Sequence, residues 1–152
     1  MLLEELAEKG ISFENPLDLG CGTGILGMGI ARLFNKSVIL SDNDPEALIK
    51  TLENLAYNGL ADQGEVYLSE GFDAPSLKEK GPFDLITANI LAGPLIDLAK
   101  DMVQVLTPQG TLILSGILET QKENVVAAYE KEGLSLKKSL HLKNWVCLLF
   151  QR

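Results

Sequence analysis

Only two cysteines, Cys21 and Cys147, stand in the 152-residue chain. They lie far apart and form no CxxC pair or Cys/His cluster, so neither a disulfide framework nor a metal site is expected. His141 is the single histidine, and no nucleophilic triad is apparent. No apolar run approaches the eighteen or so residues of a membrane span. The opening MLLEELAEKG places Glu4, Glu5 and Glu8 where a secretion signal carries cations. A cytoplasmic protein without a membrane partner is the expectation. Positive charge is also scarce: 13 Lys and Arg face 21 Asp and Glu, for a net charge of −8. Such a surface repels phosphate backbones, so direct nucleic-acid binding is not expected, and a basic protein is the easier partner to accommodate.

Hydrophobic residues at 46% against charged residues at 22% describe an ordinary globular chain, large enough for one domain spanning 1–152. Compact apolar runs alternate with helix-period segments, bounded by Gly, Pro, Asn and Asp, which is the βα rhythm of a parallel sheet. The runs Pro16–Leu19, Ser37–Leu40, Glu65–Leu68, Phe83–Ala88 and Thr111–Leu114 read as strands, several apolar on both faces. Helices are expected from about Ile25 to Phe34 and from Pro45 to about Tyr57. The second buries Leu48, Leu52 and Leu55 and stops at Asn58-Gly59. A third carries Leu95, Leu98, Met102 and Val105 on one stripe and ends before Pro108. The tail reads as a helix from about Thr120 to Lys131, then strands Leu134–Leu142 and Trp145–Phe150 joined at Lys143-Asn144. The fold class implied is α/β: a three-layer, doubly wound, mostly parallel sheet that finishes with an antiparallel hairpin.

Asp18-Leu19-Gly20-Cys21-Gly22-Thr23-Gly24 is the most informative segment. It ends a strand and opens a helix. Glycines at alternate positions, Gly20, Gly22 and Gly24, let the backbone approach a ligand closely, and the helix start behind them offers free N–H groups. The overlapping Gly22-Thr23-Gly24-Ile25-Leu26-Gly27 also satisfies the dinucleotide pattern GxGxxG, so an NAD-binding module remains an alternative. Asp18 favours a different ligand, because a carboxylate opposes a pyrophosphate and welcomes an ammonium group such as that of S-adenosylmethionine. Asp42 follows Gly24 by eighteen residues, near the spacing at which an acid reaches a ribose hydroxyl pair. Asp44, immediately before Pro45, suits an N-cap instead. Ser69-Glu70-Gly71 falls where an adenine edge would lie. Cys21 reads as a packing residue, His141 as a surface residue and Trp145 as a sheet-packing aromatic.

The strings Ala88-Asn89-Ile90-Leu91-Ala92-Gly93-Pro94-Leu95 and Ser115-Gly116-Ile117-Leu118 sharpen this reading. Together with DLGCGTGIL, SDNDP and a terminal strand opening at Trp145, they resemble the catalytic domain of the PrmA-type ribosomal protein methyltransferases. These are class I, Rossmann-like enzymes. The resemblance runs from about Pro16 onward. It implies S-adenosyl-L-methionine as cofactor, with Gly20 and Asp42 in its site and Asn89 between cofactor and incoming amine. It also implies methyl transfer to amino groups of a ribosomal protein, large-subunit protein L-eleven. That family carries a Gly-Thr-Gly-Thr-His loop upstream, and before it a small domain that grips the ribosomal protein. The seventeen residues before Asp18 hold neither, so a single cofactor-binding domain without the substrate-recognition domain is expected. Other acceptors (another protein nitrogen, RNA or a small molecule) share every cofactor residue and stay open, as does a truncated domain without activity.

In-line displacement at a sulfonium needs nitrogen, methyl carbon and sulfur aligned and water excluded, and no metal or covalent nucleophile. Asn89, through its side-chain oxygen, suits an acceptor role toward amine N–H groups.

Overall fold

The computed structural model describes residues 1–152. In chain order the elements are α1 (Leu2–Glu8), β1 (Pro16–Leu19), α2 (Ile25–Phe34), β2 (Val38–Asp42), α3 (Pro45–Tyr57), β3 (Gly64–Leu68) and α4 (Pro75–Lys78). There follow β4 (Phe83–Asn89), α5 (Ala92–Asp97), α6 (Ala99–Val105), β5 (Leu106–Leu118), α7 (Lys122–Lys131), β6 (Ser135–Leu142) and β7 (Trp145–Gln151). One seven-stranded sheet runs in the order β3-β2-β1-β4-β5-β7-β6. β1 to β5 are parallel, and β7 is antiparallel to both neighbours. The terminal hairpin therefore folds back so that its second strand, the more apolar one, is inserted between β5 and β6.

Each sheet face buries its own cluster. On one face α1, α2 and α3 cover Leu40, Leu85, Ile113 and Leu149. On the other, α5, α6 and α7 cover Ile86, Leu114, Leu148 and Phe150. Residues alternate between faces along each strand, so strands covered on both sides are buried throughout, as the four residues of β1 are, Asp18 among them. The chain leaves β1 toward β2 on one side, while β4 occupies the other. That reversal opens a crevice at the carboxyl ends of β1 and β4, where ligands bind in doubly wound sheets.

The bounds of β1, α2 and α3 are as the sequence predicts. Asp44 caps α3 by accepting from the Glu46 N–H at 2.9 Å, and Gly59 turns the chain away at φ 68°. Three expectations need correction. The helix over Leu95 to Val105 is two helices meeting at Leu98, whose Cδ2 lies 2.6 Å from where Gly71 would carry a Cβ. The strand expected at Thr111–Leu114 extends to Leu106–Leu118, because its ends find partners in Phe83 and Trp145. Leu52 is 48% exposed, and Thr51 is buried in its place. The inward face of α3 thus runs Leu48, Thr51, Leu55, with the threonine at the middle position where α3 packs on the glycine loop.

Candidate functional site

The glycine loop joins β1 to α2 with Gly20, Gly22 and Gly24 at φ 67°, 56° and 79°. Three side chains from elsewhere hold it. Asp42, at the end of β2, accepts from the Gly22 N–H at 2.8 Å, while the Thr51 hydroxyl donates to the Gly22 carbonyl at 2.9 Å. Asn54 donates to the Thr23 carbonyl at 2.9 Å. Gly20 faces β4 so closely that a Cβ there would lie 2.5 Å from Ile90 Cγ2. Close approach, rather than turning alone, requires glycine at this position.

Asp18 corrects an expectation. It is 1% exposed, its carboxylate enclosed by the chain: Oδ2 accepts from the Gly27 N–H at 2.8 Å and Oδ1 from the Thr87 hydroxyl at 2.9 Å. No oxygen is turned out toward a ligand ammonium. The residue ties β1 to the first turn of α2 and to β4, and so supports the loop from below. Burial pushes its carboxyl up to about 6, against the two hydrogen bonds, with the nearby Asp42 charge adding to the rise. Cys21 packs in the core, and burial pushes its thiol up to about 12, so it is no thiolate nucleophile at neutral pH.

A cleft of about 520 Å³ opens over the carboxyl ends of β1 and β2 and the loops after β3 and β4, walled by Gly20, Asp42, Ser69, Phe72 and Ile90. Gly20 and Asp42 of the predicted residues lie in it; Gly22 and Gly24 shape the loop without lining the cleft. Asp42 is half-buried, and each of its oxygens accepts one backbone N–H: Oδ2 from Gly22 and Oδ1 from Asp44 at 3.0 Å. A carboxylate has about four acceptor positions. One position per oxygen is therefore left over, a pair suited to two vicinal hydroxyls. Glu70, Asp73, Asp97 and Asp101 also line the cleft, and no Lys or Arg does. None of these carboxylates is in an ion pair. The cleft is polar at one end, apolar at Phe72, Ile90 and Leu98, and negative in potential, which suits a cationic nucleoside far better than a pyrophosphate.

Asn89 stands at the end of β4 and is exposed, with no hydrogen bond from its side-chain amide to the rest of the chain. It lines a second cavity, a groove of about 570 Å³ with Thr87, Ser115 and Gly116 at one end and largely apolar walls beyond. Its neighbour Ile90 lines the first cleft. The Asn89–Ile90 segment is thus a thin wall between the two, hemmed by glycines on both sides. Gly116, at φ 80°, would place a Cβ 2.6 Å from the Ile90 carbonyl oxygen and 3.0 Å from Asn89 Oδ1.

Thr51 and Thr87 were not legible as site residues. A threonine within the apolar stripe of α3 was a faint signal for the first, and nothing local marks the second. Trp145 also departs from expectation: it is 49% exposed and lines the groove instead of packing in the sheet.

Comparison with known proteins concerns the chain as a whole. The family model for ribosomal protein L11 methyltransferase (PrmA) matches residues 1–152. A ribosomal protein L11 methyltransferase of Brucella suis is 44% identical over 147 residues, covering 95% of this chain and 52% of that protein. A protein of the same name from Chelativorans sp. is 44% identical over 138 residues, covering 91% and 48%. The chain thus spans about half the length of these relatives. Among solved structures, a ribosomal protein L11 methylase from Lactobacillus delbrueckii subsp. bulgaricus superposes with a TM-score of 0.86 at 28% identity, covering 99% of this chain and 77% of that one. An RNA methyltransferase from Salinibacter ruber in complex with S-adenosyl-L-homocysteine, at 18% identity and a TM-score of 0.74, shares the fold.

Proposed function

The chain belongs to the ribosomal protein L11 methyltransferase family, and from that premise we propose that it binds S-adenosyl-L-methionine and transfers its methyl group to amino groups of a ribosomal protein of the L11 type. The observation that carries the cofactor half is Asp42, whose carboxylate is oriented by two backbone N–H groups with one acceptor position left on each oxygen. The donor set fits the group: Asp42 would receive the ribose hydroxyls, Gly20 packs without a Cβ against Ile90 to shape the cleft, and Phe72 and Ile90 supply apolar wall. The unpaired carboxylates around the cleft match the positive charge that S-adenosylmethionine carries and oppose the pyrophosphate of NAD.

When bound, the cofactor supplies an electrophilic methyl group for in-line displacement. The chain's own residues hold and orient. Asn89 accepts hydrogen bonds from the incoming amine and turns its lone pair toward the cleft, which its partner-free amide at the wall between the two cavities suits it to do. Asp18 holds the loop from beneath and touches neither reactant.

Titration calorimetry with S-adenosylmethionine and, separately, NAD tests the proposal, with saturable binding expected for the first alone. Asn89→Ala is then expected to leave cofactor affinity within about twofold and to slow methyl transfer to the ribosomal protein by about ten- to a hundredfold, as loss of orientation does. NAD binding, or equal losses in affinity and turnover, contradicts it.

A further inference from the structure

Gly22 is held by hydrogen bonds rather than by packing. A Cβ at Gly20 would lie 2.5 Å from Ile90 Cγ2 and one at Gly24 2.9 Å from Thr51 Cγ2, whereas one at Gly22 would meet nothing within 4 Å. Neighbouring side chains therefore do not fix how the Gly22 backbone is turned. Its N–H donates to Asp42 Oδ2 at 2.8 Å, and its carbonyl accepts from the Thr51 hydroxyl at 2.9 Å. Thr51 is fully buried on the stripe of α3 that carries Leu48 and Leu55, a place that valine would fill as well except for the hydroxyl. Burying a hydroxyl is costly unless it is hydrogen-bonded. Its proton goes to Gly22, and its oxygen lies 3.7 Å from the Cys21 thiol, which can donate to it. A chain of hydrogen bonds thus runs from Cys21 through Thr51 and Gly22 to the carboxylate of Asp42.

We propose that Thr51 is a positioning residue for the cofactor ribose: by holding the Gly22 carbonyl it sets the direction of the Gly22 N–H, and through that donor the direction of the Asp42 carboxylate. The inference rests on the reading of Asp42 as the ribose contact and extends the machinery behind it to α3. Only two soft dihedrals separate the N–H of a residue from its carbonyl, so a carbonyl held by α3 leaves the N–H little freedom. Asp42 Oδ1 is tied separately, by the Asp44 N–H at 3.0 Å. Loss of the Thr51 hydroxyl therefore loosens one oxygen of the carboxylate and not the other, and the acceptor positions left for two vicinal hydroxyls lose their fixed spacing. Thr51 does not itself line the cleft, so its effect on a ligand runs through the loop. Its methyl group has a separate task, since Cγ2 packs against Gly24.

Two conservative substitutions separate the hydroxyl from the methyl. Thr51→Val keeps the packing and removes the donor, whereas Thr51→Ser keeps the donor and removes the methyl. The Gly22 amide proton, followed by NMR without ligand, reads the link to Asp42. Thr51→Val is expected to move it upfield, as a weakened bond to a carboxylate does, and Thr51→Ser to leave it near the parent position. Calorimetry with S-adenosylmethionine and its 2′-deoxy analogue reads the consequence. The parent is expected to prefer S-adenosylmethionine by about tenfold and Thr51→Val by about threefold or less, with S-adenosylmethionine itself bound about five- to tenfold more weakly. Thr51→Ser is expected to discriminate as the parent does. In an Asp42→Asn background, Thr51→Val is expected to cost less than about twofold, because the two residues act in series. Equal weakening of both ligands, a Thr51→Ser protein that behaves as Thr51→Val does, or a Gly22 proton that Thr51→Val leaves in place overturns the proposal. A parent that binds neither ligand removes the cofactor reading and the ribose role together, while the Gly22 proton still decides the link to Asp42. A parent that binds and discriminates, beside a Thr51→Val protein that does so equally, removes only the role of Thr51.

Discussion

Replacing Asp42 by asparagine is nearly isosteric, yet the geometry makes it a severe change. Both carboxylate oxygens already accept backbone N–H groups, from Gly22 at 2.8 Å and Asp44 at 3.0 Å. An asparagine offers one oxygen, and its NH2 group must then face one of those N–H donors. The variant loses the negative charge, one of the two positions left for ribose hydroxyls, and the support of one backbone N–H. Hydrogen bonds to charged groups contribute about 1.5 to 3 kcal/mol each. The expected loss in cofactor affinity is about 2 to 3 kcal/mol, roughly 30- to 150-fold in Kd. Calorimetry with S-adenosylmethionine and with its 2′-deoxy analogue, on parent and variant, isolates the hydroxyl contact. The parent is expected to lose about tenfold in affinity for the deoxy analogue and the variant less than about threefold, because the partner is already gone. Thermal unfolding without ligand separates loop support from binding. An Asp42→Asn protein that binds S-adenosylmethionine within about twofold of the parent, or that discriminates the deoxy analogue as well as the parent does, refutes the assignment of Asp42 to the ribose.

Other consequences concern the loop and its surroundings. Gly22 and Gly116 both have positive φ, but a Cβ at Gly22 meets nothing within 4 Å, whereas one at Gly116 meets the Ile90 carbonyl at 2.6 Å. Gly22→Ala is expected to cost about 1 kcal/mol of backbone strain, and Gly116→Ala roughly 2 to 4 kcal/mol because the Asn89–Ile90 segment must also move; equal costs in urea unfolding contradict the close approach. Asp18 gives stability a sign opposite to that of a paired carboxylate. Its folded value of about 6 lies above the ordinary carboxyl value of 3.8, so the unfolded chain releases this proton first as pH rises. This contribution is favourable below about pH 4, falls through the window from about 4 to 6, and levels off above it, for a total of about 3 kcal/mol. In Asp18→Asn, where the amide oxygen can take the Gly27 N–H and the NH2 can meet the Thr87 hydroxyl, that loss is absent. The stability difference between parent and variant is therefore expected to shift in the variant's favour by about 3 kcal/mol between pH 4 and 7. A pH-independent difference in urea titrations is the contrary result.

Much of this protein is written within short stretches of chain. Glycine at alternate positions after an apolar run marks the loop; Asp44 before Pro45 marks the start of α3, and Asn58-Gly59 its end. These features depend on backbone dihedrals and capping groups within a few residues, so they are legible in the local run of residues. The same holds for the separation of Asp42 from Asp44, because capping chemistry is local. Tertiary structure decided the rest. Asp18 is a carboxylate in an attractive motif, and only the Gly27 N–H nine residues on and the Thr87 hydroxyl 69 residues on turn it into a buried brace. Thr51 displaces Leu52 from the inner face of α3 because the loop it packs against presents a carbonyl. The insertion of β7 between β5 and β6, and the half-open groove that leaves Trp145 at its wall, follow from which sheet faces the helices cover. No pattern within a single segment encodes that coverage, because it depends on the summed packing of elements far apart in the chain.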